Sequence, residues 1–177
     1  MDFLTKKGMR MQNQGNFSVF VSYSTKDIER IRPVVQQIQS IQGLTIFFAD
    51  RSLNPGDFIS QRIIQNIKVA DVFIVFYSEA ASQSTYVQQE IGVAKGDSKL
   101  ILPILLDQAK PSGMLTDVHY LNLHVESKRE TELGRLFQFL NQSVQCKNQR
   151  QLMQFLALLG IGYLFFAGGN SDEADDY

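Results

Sequence analysis

Side chains that form cross-links or bind transition metals are scarce in this chain of 177 residues, which has one cysteine, Cys146, and two histidines. No internal disulfide is possible, and a single thiol fits a reducing compartment better than an oxidising one. We therefore expect a cytoplasmic protein with no metal site. His119 and His124 flank a short apolar segment with no acidic or nucleophilic neighbour, so we interpret both as structural residues.

An excess of charge of one sign is also missing, because 17 basic and 18 acidic residues leave a formal net charge of −1. The basic residues are scattered along the chain, so nothing favours a nucleic acid and we predict none as a partner. Residues 1–16 lack the apolar core of a secretory signal, and we interpret them as a disordered leader. Hydrophobic residues make up 44% of the chain, which is enough for a buried core.

Short apolar segments alternate with segments whose apolar residues recur at helical spacing. The predicted strands are residues 19–23, 44–48, 71–78, 100–106 and 119–123. This alternation predicts an α/β fold, in which a doubly wound parallel sheet of five strands has helices on both faces. Pro33 predicts that the first helix starts close to it or kinks there, and Pro103 predicts an edge or a bulge in the fourth strand.

Polar segments follow the first three predicted strands, at residues 22–27, 50–57 and 78–85. Parallel sheets bind ligands in the crevice at the carboxyl ends of their strands, so these segments are predicted to meet there. The last segment leads into a helix for which Thr85 is the predicted N-cap, and Glu90 follows Tyr86 by one turn of that helix. A carboxylate at the mouth of a sheet is either structurally paired or functional, and the pattern alone leaves both alternatives open.

Three motifs in this order resemble a TIR (Toll/interleukin-1 receptor) domain of the prokaryotic, NAD-cleaving type. They are Val-Phe-Val-Ser-Tyr-Ser at residues 19–24, the loop from Asp50 to Asp57 with its Asn-Pro-Gly turn, and Tyr86-x-x-x-Glu90. The resemblance covers residues 17–142 and implies a flavodoxin-like fold for that part of the chain.

The resemblance also implies roles for individual residues. Glu90 matches the glutamate that is catalytic in members that cleave NAD+, and Tyr86 stands where the commoner aromatic residue is Trp. The residues expected to bind the substrate are Ser24, Thr25, Asp50, Phe58, Ser84 and Tyr86. The family's assembly loop (the BB loop) corresponds here to Arg51, Asn54, Pro55, Gly56 and Asp57. Asp57 is also the simplest N-cap for the next helix, and Phe58 is either a core residue or a pocket residue.

A single carboxylate is sufficient for cleavage of the bond between nicotinamide and ribose. Glycosidases need a second carboxyl group to protonate the leaving oxygen, whereas nicotinamide leaves as a neutral base. This chemistry agrees with what the resemblance implies, an NAD+ glycohydrolase that takes NAD+ as substrate and needs no cofactor. The resemblance further implies release of nicotinamide and ADP-ribose or a cyclic variant, and a role in antiviral defence after self-association through TIR–TIR contacts.

Two other functions compete with this expectation. A non-enzymatic TIR adaptor would recruit partner TIR proteins through the loop from Asp50 to Asp57, and it would not need a glutamate at position 90. A phosphoacceptor receiver domain has a similar topology, but that chemistry needs an acidic cluster after the first strand. Residues 22–24, Ser-Tyr-Ser, supply none.

The composition changes near the carboxyl terminus. An uncharged apolar segment at residues 151–169 follows a predicted linker, 143–150, and precedes an acidic tail, 170–177. Its length just reaches the ~17–25 residues of a membrane-spanning helix. Lys147 and Arg150 precede it, and basic residues beside a spanning helix favour the cytoplasmic side. Such a helix would therefore anchor the domain at the inner face of the cell membrane. The alternative is a hydrophobic helix that packs on the domain or on a partner.

Overall fold

Five parallel strands form one sheet in the part of the chain that the computed structural model describes, residues 16–49 and 61–158. They are β1 (Phe17–Ser22), β2 (Leu44–Phe48), β3 (Val72–Tyr77), β4 (Leu100–Leu105) and β5 (Leu121–Asn122). Their order across the sheet is β2-β1-β3-β4-β5, and each neighbouring pair is parallel. The predicted doubly wound sheet is confirmed, since β1 lies inside the sheet and the later strands extend from it to both edges.

Helices cover both faces of this sheet. The α-helices of the described residues are α1 (Ile28–Gln39), α2 (Gln61–Val69), α3 (Glu79–Ser82), α4 (Thr85–Gly96) and α5 (Glu126–Leu158). Successive side chains of a strand point to opposite faces. Val19 and Val21 of β1 therefore join a core with α1 and α5, while Phe20 joins a core with α2 and α4. On that second face the ring of Phe20 stacks on that of Phe73, with 5.5 Å between the ring centroids.

Two adjacent inner strands, β1 and β3, are buried along their whole length. All six residues of β1 and all six of β3 are buried. When both faces of a strand are covered, both sets of its side chains are buried, which favours a continuous apolar sequence such as that of β3 from Val72 to Tyr77. The carboxyl ends of β1 and β3 lie side by side, with Ser22 paired to Val75. This pair of strands supports the edge at which the candidate site lies.

The prolines had different outcomes. Pro103 pairs with Val75 of β3, whereas β5 pairs only with Ile104 and Leu105 of β4, so Pro103 lies where β4 has no described neighbour on its outer side. That position agrees with the expected edge. Of the two outcomes expected at Pro33, a helix start close to it was wrong, because α1 begins five residues earlier, at Ile28, and the kink stays a prediction. Burial of its apolar stripe (Ile31, Val35 and Ile38) outweighs the cost of an interior proline.

The predicted linker at 143–150 was wrong, because these residues are helical. α5 is continuous over 33 residues, and nothing between 143 and 150 is a glycine or a proline. Val144 is buried in the core on the α1 side of the sheet. Residues 1–15 of the predicted leader, 1–16, and the end of the apolar segment, 159–169, lie outside the described residues, as does the acidic tail. Within the described ranges, no helix combines the length and the apolar character needed to cross a membrane.

Lys147 fixes this part of α5 to the amino edge of the sheet. Its ammonium group donates to the carboxylate of Asp71 at 2.6 Å and to the carbonyl of Asn16 at 3.1 Å. Asp71 also accepts from the backbone N–H of Ser18 at 2.7 Å and from its hydroxyl at 2.9 Å. Burial alone would raise the pKa of Asp71, but these hydrogen bonds and the charge of Lys147 lower it below its ordinary value of 3.8.

Candidate active site

The helix that carries Glu90 begins at a serine cap. Ser84 has an extended backbone, and its hydroxyl accepts from the N–H of Val87 at 3.4 Å. The prediction that Thr85 is the N-cap was therefore wrong by one residue, since Thr85 is already the first residue of α4. With Ser84 as the N-cap, the third helical residue is Val87, so Gln88 cannot form a capping box with Thr85; its amide donates instead to the carbonyl of Ser82 at 3.2 Å. Ser84, expected to bind the substrate, is thus occupied in part with holding α4.

Glu90 lies deeper than its sequence position suggested. A carboxylate expected at the mouth of the sheet is in fact 2% exposed, close to the values of Val87 at 0% and Ile91 at 1% on the same helix. One of its carboxylate oxygens, Oε2, accepts a hydrogen bond from the hydroxyl of Ser22. Ser22 is the last residue of β1, so the carboxylate lies at the carboxyl edge of the sheet, as predicted. Its catalytic role stays a prediction.

Burial makes this carboxylate chemically unusual. An ionised group in a protein interior is costly unless hydrogen bonds or charges compensate for the lost water. Charge interactions are also stronger there than at the surface, because the effective dielectric constant is lower. A carboxylate held in this way is suited to stabilising a nearby positive charge. Tyr86, one turn earlier on α4, is half-buried and completes the predicted pair.

A second buried carboxylate, Asp27, organises the same edge, and sequence reasoning missed it. Asp27 is 3% exposed, and Oδ2 accepts from the hydroxyl of Ser78 at 2.5 Å. Its other oxygen accepts from Arg30 at 3.1 Å, and Arg30 also donates to the carbonyl of Leu106. The loop after β1 is thereby tied to those after β3 and β4. The three-residue spacing of Asp27 and Arg30 was the available signal, but the partners on other strands were not visible in the sequence.

The remaining predicted substrate-binding residues divide into two groups. Ser24 and Thr25 lie in the loop after β1, where Ser24 is buried and accepts from the N–H of Lys26 at 3.4 Å, while Thr25 is exposed. The structure brings them to the same edge as Ser84, Tyr86 and Glu90. Two further predicted residues, Asp50 and Phe58, lie outside the described residues. So does the whole predicted assembly loop, Arg51, Asn54, Pro55, Gly56 and Asp57.

A groove of about 780 Å³ between α1 and α5 is not this site. It is lined largely by amide and apolar side chains, namely Gln37, Ser40, Ile41, Gln42, Gly43, Phe137, Asn141, Val144, Gln145 and Asn148. Gly43 immediately precedes β2, so the groove opens at the amino edge of the sheet, away from Glu90. In residues 16–49 and 61–158, no three His, Cys, Asp or Glu side chains cluster closely enough to hold a metal ion.

The fold and its strand order define a class of protein that the comparisons then identify. The family model described as TIR domain matches residues 19–137, about two thirds of the chain. The chain therefore belongs to the TIR domain family, and the resemblance found in the sequence is confirmed at that level. The assignment to the prokaryotic, NAD-cleaving type stays a prediction.

Individual relatives include a plant protein and two solved TIR structures. The probable 2′ cyclic ADP-D-ribose synthase BdTIR of Brachypodium distachyon is 26% identical over 120 residues, which are 67% of this chain and 53% of that protein. The chain thus matches about half the length of this curated relative. The TIR domain of the Toll-related receptor TRR-2 of Hydra magnipapillata has a TM-score of 0.57 at 21% identity, covering 69% of this chain and 96% of that one. The TIR domains of the activated Roq1 resistosome give 0.53 at 14% identity, covering 71% and 99%. These two structures support the fold.

Proposed function

We propose that this TIR domain is an enzyme that cleaves NAD+ between nicotinamide and ribose. The observation that carries the proposal is the carboxylate of Glu90, which is buried at the carboxyl edge of the sheet and follows Tyr86 by one helical turn. The plant relative named as a probable 2′ cyclic ADP-D-ribose synthase supports the same class of chemistry. An adaptor that only docks onto other TIR domains would have no need of a buried charge at this edge.

The proposed reaction breaks the bond between ribose C1′ and the nicotinamide nitrogen. The bonding electron pair leaves with nicotinamide, which becomes neutral, and positive charge develops on the ribose. Glu90 stabilises this charge in a site of low dielectric constant. Water then attacks C1′ to give ADP-ribose, or a hydroxyl of the same molecule attacks to give a cyclic product. The proton of the attacking hydroxyl passes to Glu90, which afterwards loses it to solvent.

The other predicted residues have supporting roles in this proposal. The hydroxyls of Ser24, Thr25 and Ser84 would donate hydrogen bonds to the ribose or the phosphates. The ring of Tyr86 would stack on nicotinamide or cover the ribose. Asp50 and Phe58 would complete the pocket from the loop that follows β2. No cofactor is needed, because NAD+ is itself the substrate and no redox step occurs.

Nicotinamide release from NAD+ tests this proposal directly. We expect the purified protein to release nicotinamide and Glu90→Ala and Glu90→Gln to be slower by at least about 100-fold, because the charge that stabilises the transition state is lost. Glu130→Gln is the control, since Glu130 is exposed on α5. It should match the wild type. Equal turnover by the wild type and both Glu90 variants would overturn the catalytic assignment and leave the adaptor function.

We further propose that the enzyme is activated by assembly and acts in antiviral defence. In this scheme the loop of Arg51, Asn54, Pro55, Gly56 and Asp57 contacts a second copy of the domain. Cleavage would then deplete NAD+ or make a nucleotide signal. Phage challenge of cells that express the wild type or Glu90→Gln tests the defence role, and equal survival of the two cultures would contradict it.

A further inference from the structure

The hydroxyl of Ser22 is the polar end of an otherwise mainly apolar strand. β1 has the sequence Phe-Ser-Val-Phe-Val-Ser, and Ser22 at its carboxyl end is 0% exposed. A buried hydroxyl is costly without a hydrogen-bond partner, and this one donates to Oε2 of Glu90. The contact joins residues 68 positions apart in the sequence, across two elements of the fold.

We propose that Ser22 is a positioning residue that sets the orientation of the Glu90 carboxylate for NAD+ cleavage. The inference rests on the proposed function. A glutamate side chain has three rotatable bonds, and a carboxylate that is free to turn would spend little time in a productive orientation. A donor on one oxygen fixes the plane of the carboxylate relative to the sheet. The geometry of the negative charge is then set before the substrate arrives.

The location of the donor supports this role. Ser22 belongs to β1, which is hydrogen-bonded to β2 on one side and to β3 on the other. Central strands are among the most rigid elements of a domain, and precise sites are built on such elements rather than on loops. Glu90 is anchored from its own side by the buried residues Val87 and Ile91 of α4. The hydrogen bond therefore connects two fixed elements at the ligand-binding edge.

Ser18 on the same strand provides a matched comparison. It is also buried, at 8%, and its hydroxyl donates to a carboxylate, that of Asp71, at 2.9 Å. Asp71 lies at the amino edge of the sheet and is paired with Lys147. The Ser18 bond thus closes the structure at the edge away from the crevice. The two serines have the same chemistry and the same strand, and they differ in which end of the sheet their acceptor occupies.

The experiment measures nicotinamide release by the wild type and by Ser22→Ala, Ser22→Cys and Ser18→Ala, as kcat and KM for NAD+. We expect Ser22→Ala to lower kcat about 10- to 100-fold with KM changed less than about threefold, because geometry rather than binding is lost. Ser22→Cys keeps a weak donor of similar size and should fall between Ser22→Ala and the wild type. Ser18→Ala should keep kcat per folded molecule within about twofold of the wild type, since it affects only stability.

Thermal unfolding of the same variants, of Glu90→Ala and of the double variant Ser22→Ala/Glu90→Ala separates positioning from folding. A double variant whose loss of stability differs from the sum of the two single losses would show that the two side chains interact in solution. The inference is overturned if kcat per folded Ser22→Ala molecule equals that of the wild type. It is equally overturned if Ser18→Ala lowers kcat per folded molecule as much as Ser22→Ala does. It is also overturned if the unfolding effects are additive. A wild type that releases no nicotinamide would instead refute the proposed function, so the two failures are distinguishable.

Discussion

Serine–carboxylate pairs occur at both ends of β1, and they differ in the edge of the sheet at which the carboxylate lies. At the amino end, Asp71 receives two hydrogen bonds from Ser18 and one from Lys147. At the carboxyl end, Glu90 receives the hydroxyl of Ser22 inside an apolar stripe. The first pair ties α5 and β3 to β1 at the amino edge of the sheet. The second lies at the carboxyl edge, where parallel sheets bind ligands.

The lowered pKa of Asp71 predicts how stability depends on pH. A carboxyl whose folded-state pKa lies below its unfolded value stabilises the fold fully above the unfolded value, and this contribution is lost as pH falls through the folded value. The wild type should therefore be more stable than Asp71→Asn at pH 7. The difference between their free energies of unfolding should become smaller below about pH 4. Urea unfolding of both proteins from pH 7 to pH 3 measures this. A difference that stays constant over that range would contradict the prediction.

Asp27 should contribute to stability far more than a surface acid on the same stretch of chain. Asp27→Ala leaves the Ser78 hydroxyl and the Arg30 guanidinium without this acceptor, so we expect the free energy of unfolding to fall by about 2–3 kcal/mol. Glu29→Ala is the control. It breaks a 2.6 Å ion pair with Arg32 in which the glutamate side chain is 73% exposed, and it should cost no more than about 0.5 kcal/mol. Similar urea midpoints for the two variants would argue against the role of Asp27 in holding the loops after β1 and β3 together.

At the scale of elements, α5 is part of the domain beyond the boundary that its sequence suggested. The groove-lining Val144 packs so close to Gly43 that a methyl group at position 43 would lie 3.0 Å from its Cγ1 atom. Gly43 also has a φ of +78°, which disfavours any other residue there. Together with the bond of Lys147 to Asp71, these contacts fix α5 on the start of β2 and on the amino edge of the sheet.

A truncation after residue 142 should therefore be much less stable than one after residue 150. The shorter chain loses the burial of Val144 and the hydrogen bonds of Lys147, which should lower the free energy of unfolding by about 2–4 kcal/mol. Val144→Ala and Gln145→Ala form a matched pair within the full chain, since Gln145 is exposed. Only Val144→Ala should lower the unfolding temperature. Equal unfolding temperatures for the two truncations would mean that 143–150 behaves as a linker after all.

The strands were predictable because burial on two faces leaves a direct mark on composition. β2 was predicted with its observed bounds, Leu44–Phe48, and the parallel pairing of the strands followed from their alternation with helices. The contacts of the site were not predictable in the same way. The hydrogen bonds from Ser22 to Glu90 and from Ser78 to Asp27 join distant residues, and no local pattern encodes them. The extent of α5 was missed for the same reason, since Val144 is one apolar residue in a polar stretch.

At the scale of the whole molecule, the apolar segment 151–169 was expected either to anchor the protein in a membrane or to pack on the domain or on a partner such as a second copy of the chain. α5 runs without a break through residue 158, so the first part of this segment continues the helix that is packed on the domain. At a rise of 1.5 Å per residue, a helix of 33 residues is about 50 Å long. The domain and the segment are therefore connected by a stiff element rather than by a flexible tether. We propose membrane anchoring, with the domain on the cytoplasmic side.

Comparing the full chain with residues 1–150 separates these partners in one set of measurements. If assembly activates the domain through its own contacts, specific nicotinamide release should rise with protein concentration for both proteins. If the segment anchors the protein, only the full chain should partition into phospholipid vesicles. A truncated protein that no longer gains specific activity on concentration would assign the segment to oligomerisation instead. A specific activity independent of concentration in the full chain over a wide dilution range would remove activation by assembly, because a reaction that needs two copies must weaken as they dissociate.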